Sequence, residues 1–303
     1  VTSEDGWGTS SKFSRVGVPC TCGELFQGAL DGRLCLVSCP INIYSTARVV
    51  EPTPAPLENV RRKVDQALEW LAERTGRRVA VEVSNPLPSG RGYGTSTADI
   101  GAALFAAGRA LNYELTPAEA SQAAVRIEPT DSSLLPGLTL FDHRAGRFQE
   151  FLGETPSARL FVLDPGGTID TEAFNARDWR DALARIAPEQ QCAYQILKQG
   201  VASGDLAAIG EAATLSARAH QTILYNPWVY TAQSLGKELG AVGICRAHSG
   251  TIVGLIFPID TDCRAVVHFL AQKLPGIGHV RQALLTGGGP VFRTPAGSQE
   301  AQQ

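Results

Sequence analysis

A chain of 303 residues is long for one compact core and sufficient for two domains, and 44% apolar against 19% charged residues excludes a disordered or fibrous protein. A formal net charge of −3, with no dense run of Lys or Arg, leaves no electrostatic footprint for nucleic acid. No apolar run approaches the roughly 20 residues of a bilayer-spanning helix, and the N-terminal VTSEDGWGTSSKFSRVG lacks a charged-then-apolar leader pattern, so no membrane association and a cytoplasmic location are expected.

The residues up to Lys12 read as a polar tail. Residues 14–19 read as extended, 20–32 (CTCGELFQGALDG) as a loop, and 34–51 as a long β-branched strand run. Seven cysteines without a leader imply reduced thiols, and Cys20, Cys22, Cys35 and Cys39 fall close together. Their C-x-C and C-x-x-x-C spacings differ from zinc knuckles, so buried thiols are the default reading over a four-thiolate zinc site. Residues 58–75 predict an amphipathic helix with Val60, Val64, Leu68 and Leu71 on one face and Gly76 as its stop. A short strand follows at 79–84.

Residues 85–111 pass from Pro/Gly punctuation into an alanine-rich helix, and a second helix is expected from Thr116 to Ile127 with Pro117 at its first position. LTLFDHRAGRFQEF (138–151) reads as a hairpin turning at Arg144-Ala145-Gly146. A strand at ARLFVLDPGGTIDT (158–171) opens the second half. Helices are expected near 178–200, 204–222 and 228–238, then strand, glycine turn and strand over 241–257, a helix at 262–274 and a strand at ALLTGGGPVF (283–292). The reading is an α+β protein of two halves, 1–155 and 156–303.

The chemistry concentrates in Pro88-Ser89-Gly90-Arg91-Gly92-Tyr93-Gly94-Thr95-Ser96-Thr97-Ala98. Three alternate glycines let the backbone approach a ligand without side-chain obstruction. Thr95, Ser96 and Thr97 then open a helix whose first amides lack intrahelical partners and, with the helix dipole, suit a phosphate. The hydroxyls are candidates for capping that helix, binding phosphate oxygen or ligating magnesium. Neither a G-x-x-x-x-G-K-[ST] loop nor a G-x-G-x-x-G fingerprint is present.

The pattern P-x-x-x-G-x-G-[ST]-S-x-A resembles the phosphate loop of the GHMP kinase superfamily. Pro19-Cys20-Thr21-Cys22-Gly23-Glu24-Leu25 stands where that superfamily has its substrate loop, and Ser249-Gly250-Thr251-Ile252-Val253-Gly254-Leu255 resembles its third motif, a glycine turn between strands. PCTCGELFQG, GTSTADI, EPTDS, LTLFDH and VLDPGGTIDT together are similar to the PduX-type L-threonine kinases of cobalamin biosynthesis. The resemblance implies a GHMP-kinase-like fold, with an N-terminal mixed α/β ATP-binding domain and a C-terminal ferredoxin-like α+β domain. It implies ATP and Mg2+ as cofactors and a small hydroxylated acceptor, L-threonine foremost.

Residue roles follow from the same resemblance. The backbone from Gly90 through Thr95 wraps the phosphates, and Ser96 helps hold magnesium. Glu128 and Asp131, in EPTDS behind the helix-ending Pro129, are the carboxylates, Glu128 for magnesium and Asp131 for the acceptor hydroxyl, with the swap left open. Glu24 and Gln27 meet the ammonium and carboxylate of an amino acid, and Cys22, Gly23, Ser249 and Gly250 join them on the substrate side. The first-motif lysine and the S-G-x-D-N run of mevalonate-kinase-like members are missing, and Arg91 is read as a substitute for a lysine at the transferring phosphate. Asp99, His143 and His248 lie beside the motifs, and the two histidines are read as structural. Another hydroxy acid such as homoserine or serine, a catalytically silent metabolite sensor on the same fold, and a cysteine-based metal module are the competing readings. The oligomeric state is left open, a homodimer included.

Overall fold

The computed structural model describes residues 15–50, 59–169 and 179–293. The predicted tail to Lys12, the first residue of the helix expected from 58, the end of the VLDPGGTIDT run and the start of the helix expected from 178 lie outside the described residues.

The chain opens with two long strands, β1 (Arg15–Leu30) and β2 (Arg33–Val50), joined by Asp31-Gly32. Both turn residues have positive φ, 49° and 75°, the arrangement that matches the twist of a tight hairpin and that Asp-Gly favours. Residues 20–32, expected as a loop, are therefore strand and turn. The expectation failed because the glycines and polar residues mark bulges: the β1–β2 register shifts between Pro19 and Thr21, Thr21 and Glu24, and Glu24 and Phe26.

The helix α1 (Asn59–Thr75) and β3 (Ala80–Ser84) follow as expected, and β3 pairs with β2. Next come α2 (Thr95–Ala110) and α3 (Pro117–Val125). Thr116 and Glu119 form a reciprocal capping box at the start of α3. The hairpin of β4 (Leu138–Asp142) and β5 (Gln149–Gly153) turns with the Asp142 carboxylate accepting from the N–H groups of Ala145 and Arg147.

The second half begins at β6 (Ala158–Asp164). The helix expected over 178–200 is two helices, α4 (Arg180–Arg185) and α5 (Ala187–Ser203). Pro188, at the start of α5, has no N–H to continue the α4 ladder, so a new helix starts there. Asp205 caps α6 (Leu206–Ala219), and a short 3-10 turn over His220–Thr222 extends it. Then come α7 (Trp228–Leu239), β7 (Gly243–Arg246), β8 (Val253–Pro258), α8 (Cys263–Lys273), β9 (His279–Leu284) and β10 (Val291–Arg293). The strand expected at 283–292 is interrupted by its glycines, where Gly288 bridges to Gly137. A Cβ at Gly288 would fall 2.2 Å from the Leu135 carbonyl, so close backbone packing replaces strand there.

Among the described residues, ten strands share one antiparallel sheet, in the order β5-β4-β2-β1-β7-β8-β6-β9, with β10 on β1 and β3 on β2. The β1–β7 step is a single register pair, Glu24 with Arg246. Glu24 thus stands at the seam between strands from the two halves of the chain. The four clustered cysteines are buried, as expected. Cys22 and Cys39 lie around Cys245, their sulfurs 3.7 and 3.9 Å from its own. Cys20 donates instead to Asn85 Oδ1, and burial pushes its thiol up to about 12. Among the described residues no group of three His, Cys, Asp or Glu side chains is placed to hold a metal ion.

Candidate active site

The start of α2 is held by backbone, not by a side-chain cap. Gly94 occupies its N-cap in the left-handed region, φ 63°, and no side chain caps the helix. Gly90 and Gly92, at φ 76° and 97°, make the preceding turns. The loop's carbonyls are tied back into the protein by three separate segments. Thr21 N–H donates to Tyr93 O (2.7 Å) and Gly23 N–H to Gly92 O (3.1 Å), both from β1. Thr251 and Ile252 N–H donate to Arg91 O, and Ile169 N–H to Gly90 O. With the carbonyls engaged behind the loop, the unsatisfied first amides of α2 remain for an anion.

A cavity of about 390 Å³ opens over this loop. Ser89, Gly90, Gly92, Tyr93, Gly94, Thr95, Ser96 and Thr97 line one end of it, and Glu24, Gln27, Glu128, Asp131 and Ser249 complete the predicted set. Residues spread over 226 positions of the chain, from Glu24 to Ser249 (249 counted inclusively from 24), thus meet in one place. Five predicted residues do not line it. Cys22 packs against Cys245 in the core, and Pro88 stays outside the lining. Gly23, at φ 59°, exists for backbone approach, since a Cβ there would lie 2.2 Å from Arg246 O. Gly250 presses on the loop from behind, where a Cβ would meet Arg91 O at 2.4 Å.

Arg91 is the fifth. It turns from the cavity to Asp164, with Nη1 3.1 and 3.0 Å from the two carboxylate oxygens. Tyr93 adds its hydroxyl to the same fully buried carboxylate at 3.0 Å. Arg91 therefore anchors the loop to the end of β6 and does not substitute for a phosphate-binding lysine. The cations that line the cavity are instead Arg62 and Lys63 on α1, and Lys63 pairs with Glu128 Oε2 at 2.7 Å. Its only sequence signal is its place beside Val64 on the apolar stripe of α1, too common a position to single out.

Glu128 is shared. The Ser96 hydroxyl donates to its Oε1 while Lys63 holds Oε2. Ser96 thus carries no cap, and the capping role considered for it is not what its side chain does. Thr97 Oγ1 accepts from the Asp131 N–H at 3.1 Å, fixing the EPTDS segment on the first turn of α2. The Asp131 carboxylate lies against Gly94, with Oδ2 2.7 Å from where a Cβ would stand. Burial, then Glu24, then Glu128 raise Asp131 to about 7. A buried carboxylate among other carboxylates holds its proton to near-neutral pH.

Glu24 Oε2 accepts from the backbone N–H of His248 (2.9 Å) and lies 2.8 Å from His248 Nδ1. Burial raises its carboxyl to about 8, opposed by the His248 amide and by Arg246. Its hydrogen bonds tie β1 to the third motif, and it lines the cavity as well. His248, fully buried, is a structural partner as expected, whereas His143 lines the cavity. Asp99 is structural, accepting from Ser45 and Asn85.

The residues present fit magnesium and nucleotide phosphate. Ser96 and Glu128 are hard oxygen donors already in contact beside a three-glycine loop, and Lys63 and the α2 amides supply positive potential next to them.

Residues 62–135 match the model of the GHMP kinase N-terminal domain and residues 197–276 that of the GHMP kinase C-terminal domain. The chain is 34% identical over 278 residues to the L-threonine kinase of Citrobacter freundii, covering 89% of this chain and 96% of that one. It is 35% identical over 247 residues to the L-threonine kinase of Salmonella typhimurium, covering 78% and 81%. The crystal structure of homoserine kinase from Cytophaga hutchinsonii superposes with a TM-score of 0.69 over 95% of this chain and 99% of that one, at 16% identity. A phosphate loop at a helix N-terminus, facing a cavity of acids, in a chain with these relatives is the machinery of an ATP-dependent small-molecule kinase. The chain belongs to the GHMP kinase family, with the α+β fold expected of it. Among the described residues no helix is long and apolar enough to cross a membrane.

Proposed function

We propose that this kinase phosphorylates the side-chain hydroxyl of L-threonine, giving O-phospho-L-threonine for the aminopropanol linker of cobalamin, with magnesium ATP as donor and in the cytoplasm. The observation that carries the reading is the position of Asp131, buried between Glu24 and Glu128 in front of the phosphate loop. The names of the two L-threonine kinase relatives support the choice of acceptor.

Magnesium ATP, when bound, supplies the phosphoryl group and neutralises its developing charge. The amides of Thr95, Ser96 and Thr97 with Lys63 would hold the phosphates, and Ser96 with Glu128 would hold the metal. Asp131 would take the proton of the acceptor hydroxyl, whose oxygen would replace the ADP leaving group on the γ-phosphorus. A base poised at about 7 is half ionised at neutral pH, the range in which proton acceptance is most effective. Glu24 takes the ammonium of the amino acid. A cation there favours its ionised form, so acceptor binding releases a proton from Glu24 at pH 7.

Incubating the purified protein with magnesium ATP and L-threonine and following products by phosphorus NMR tests the reading. Turnover of homoserine or serine with none of L-threonine would reassign the acceptor and leave the kinase chemistry. Incorporation into no hydroxy amino acid would favour the silent sensor.

The metal assignment has its own test. Ser96→Ala and Glu128→Gln are each expected to raise the magnesium concentration for half-maximal rate at least several-fold. Ser96→Ala removes no capping bond, because Gly94 is the cap, so any fall in its melting temperature comes from the lost hydrogen bond to Glu128. A wild-type magnesium titration in both variants would remove them from the metal site and revive the swap with Asp131.

A further inference from the structure

Part of the cavity lining outside the phosphate loop is left unassigned by the reading above. Across the sheet, Gln27 of β1 pairs with Leu36 of β2, and Leu36 pairs with Phe141 of β4. Directly paired residues present side chains on the same face. His143 is the first residue after β4, in the turn that follows it, and Gln27, Leu36 and His143 all line the cavity. Its carbonyl accepts from the Thr130 N–H at 2.9 Å, which fixes His143 beside the Pro129–Asp131 wall of the same cavity.

His143 is 6% exposed, and its Nδ1 is buried without a hydrogen-bond partner. The flanking Asp142 carboxylate is engaged by the turn amides of Ala145 and Arg147. A buried polar nitrogen left unpaired is costly, so the bare site is incomplete at this point. Burial holds the imidazole down at about 4. The ring is therefore neutral at pH 7, with one N–H to donate and no charge to attract phosphate.

An α-amino acid brings a carboxylate that must avoid Glu24, Asp131 and Glu128 and must not compete with phosphate for the α2 amides and Lys63. We propose that His143 and Gln27 form the subsite for the acceptor's carboxylate, an imidazole N–H and a side-chain amide N–H donating to its two oxygens while Glu24 takes the ammonium. The assignment rests on the reading that the acceptor is a hydroxy amino acid, and it makes recognition of the carboxylate a matter of neutral donors.

The test compares L-threonine with L-threoninol, which keeps the ammonium and the secondary hydroxyl but has CH2OH in place of the carboxylate. In His143→Leu, the KM for L-threonine should rise about 10- to 100-fold, the loss expected when a hydrogen bond to a charged group is removed. The KM for ATP should hold, and the already weaker KM for L-threoninol should change less than three-fold. His143→Gln, which returns an N–H near the ring nitrogen, should recover most of the L-threonine affinity. If His143→Leu melts below the assay temperature, Gln27→Leu, at the partly exposed neighbouring position, carries the same comparison. An unchanged KM for L-threonine, or equal losses for both acceptors, overturns the carboxylate subsite while the wild-type activity leaves the threonine kinase reading standing. Wild-type protein that phosphorylates neither compound nor any other hydroxy amino acid overturns both.

Discussion

Asp131→Asn is expected to lower kcat by about 10²- to 10⁴-fold, the range a positioned general base contributes, and to raise the melting temperature at pH 8. The two effects share one cause. Asp131 is buried beside Glu24 and Glu128, and folding raises its carboxyl from the ordinary 3.8 to about 7. Between those values the folded protein keeps a proton that the unfolded chain has released. Stability from this group is thus complete below about pH 4, declines as pH rises to about 7, and stays at its low value above. Asparagine does not titrate, so the variant's gain over wild type should grow from pH 5 to pH 8 and then level off. Wild-type log kcat/KM, which reports the free enzyme, should rise with pH up to about 7, and the residual activity of the variant should not follow that limb. Melting curves at pH 5.5 and 8 with a kcat/KM profile decide it. A variant with wild-type kcat, or one less stable at pH 8 than wild type by the same margin as at pH 5.5, would remove Asp131 from the role of buried base.

The second large effect is expected at Gly92. Its φ of 97° is in a region that side chains with a Cβ avoid, and an added Cβ would stand 2.0 Å from Ala247 Cβ and 3.3 Å from Gly250 Cα. Gly92→Ala therefore combines backbone strain with a clash against the third motif, about 2–4 kcal/mol together. Relief requires the loop to move away from the 247–252 turn, which holds Arg91 O through two hydrogen bonds. The KM for ATP should rise more than ten-fold, with a clear fall in melting temperature. Gly76→Ala is the control. It has a similar positive φ, 66°, but nothing within 4 Å of its added Cβ, so it should cost only the backbone strain and leave ATP binding intact. Equal behaviour of the two variants would mean that packing of the loop on the third motif is unimportant.

Local signals read well where they were strong and contiguous. The helix beginning at Pro117 was legible from Thr116 and Pro117, and the capping box forms as that pattern demands. The Asp31-Gly32 turn closes the stretch 20–32 read as a loop, the rest of which is strand. Gly23 and Gly28 in that stretch are strand glycines that admit neighbours: a Cβ at Gly28 would meet the Gln190 side chain at 2.6 Å. The break at Ile186 falls inside the helix expected over 178–200, where Pro188 ends one helical ladder and fits the first turn of the next.

Sequence alone determined the local chemistry of this protein: the glycine-rich turn into α2, the hydroxyls that follow it, the two acids behind Pro129, and the family those motifs resemble. Each is a short-range feature, set by φ preferences, unsatisfied helix amides and the restriction that proline places on its neighbour. Only the tertiary structure decided which charges serve the site. Arg91, between Gly90 and Gly92, is drawn away by the buried Asp164, while Lys63, from a helix outside the motifs, takes Glu128. It also decided that His143 faces the cavity and that Cys22 does not. The reason is physical: a charged or polar side chain goes where burial leaves it a partner, and partners at separations such as 73 residues for Arg91 and Asp164 or 224 for Glu24 and His248 are set by the register of the sheet.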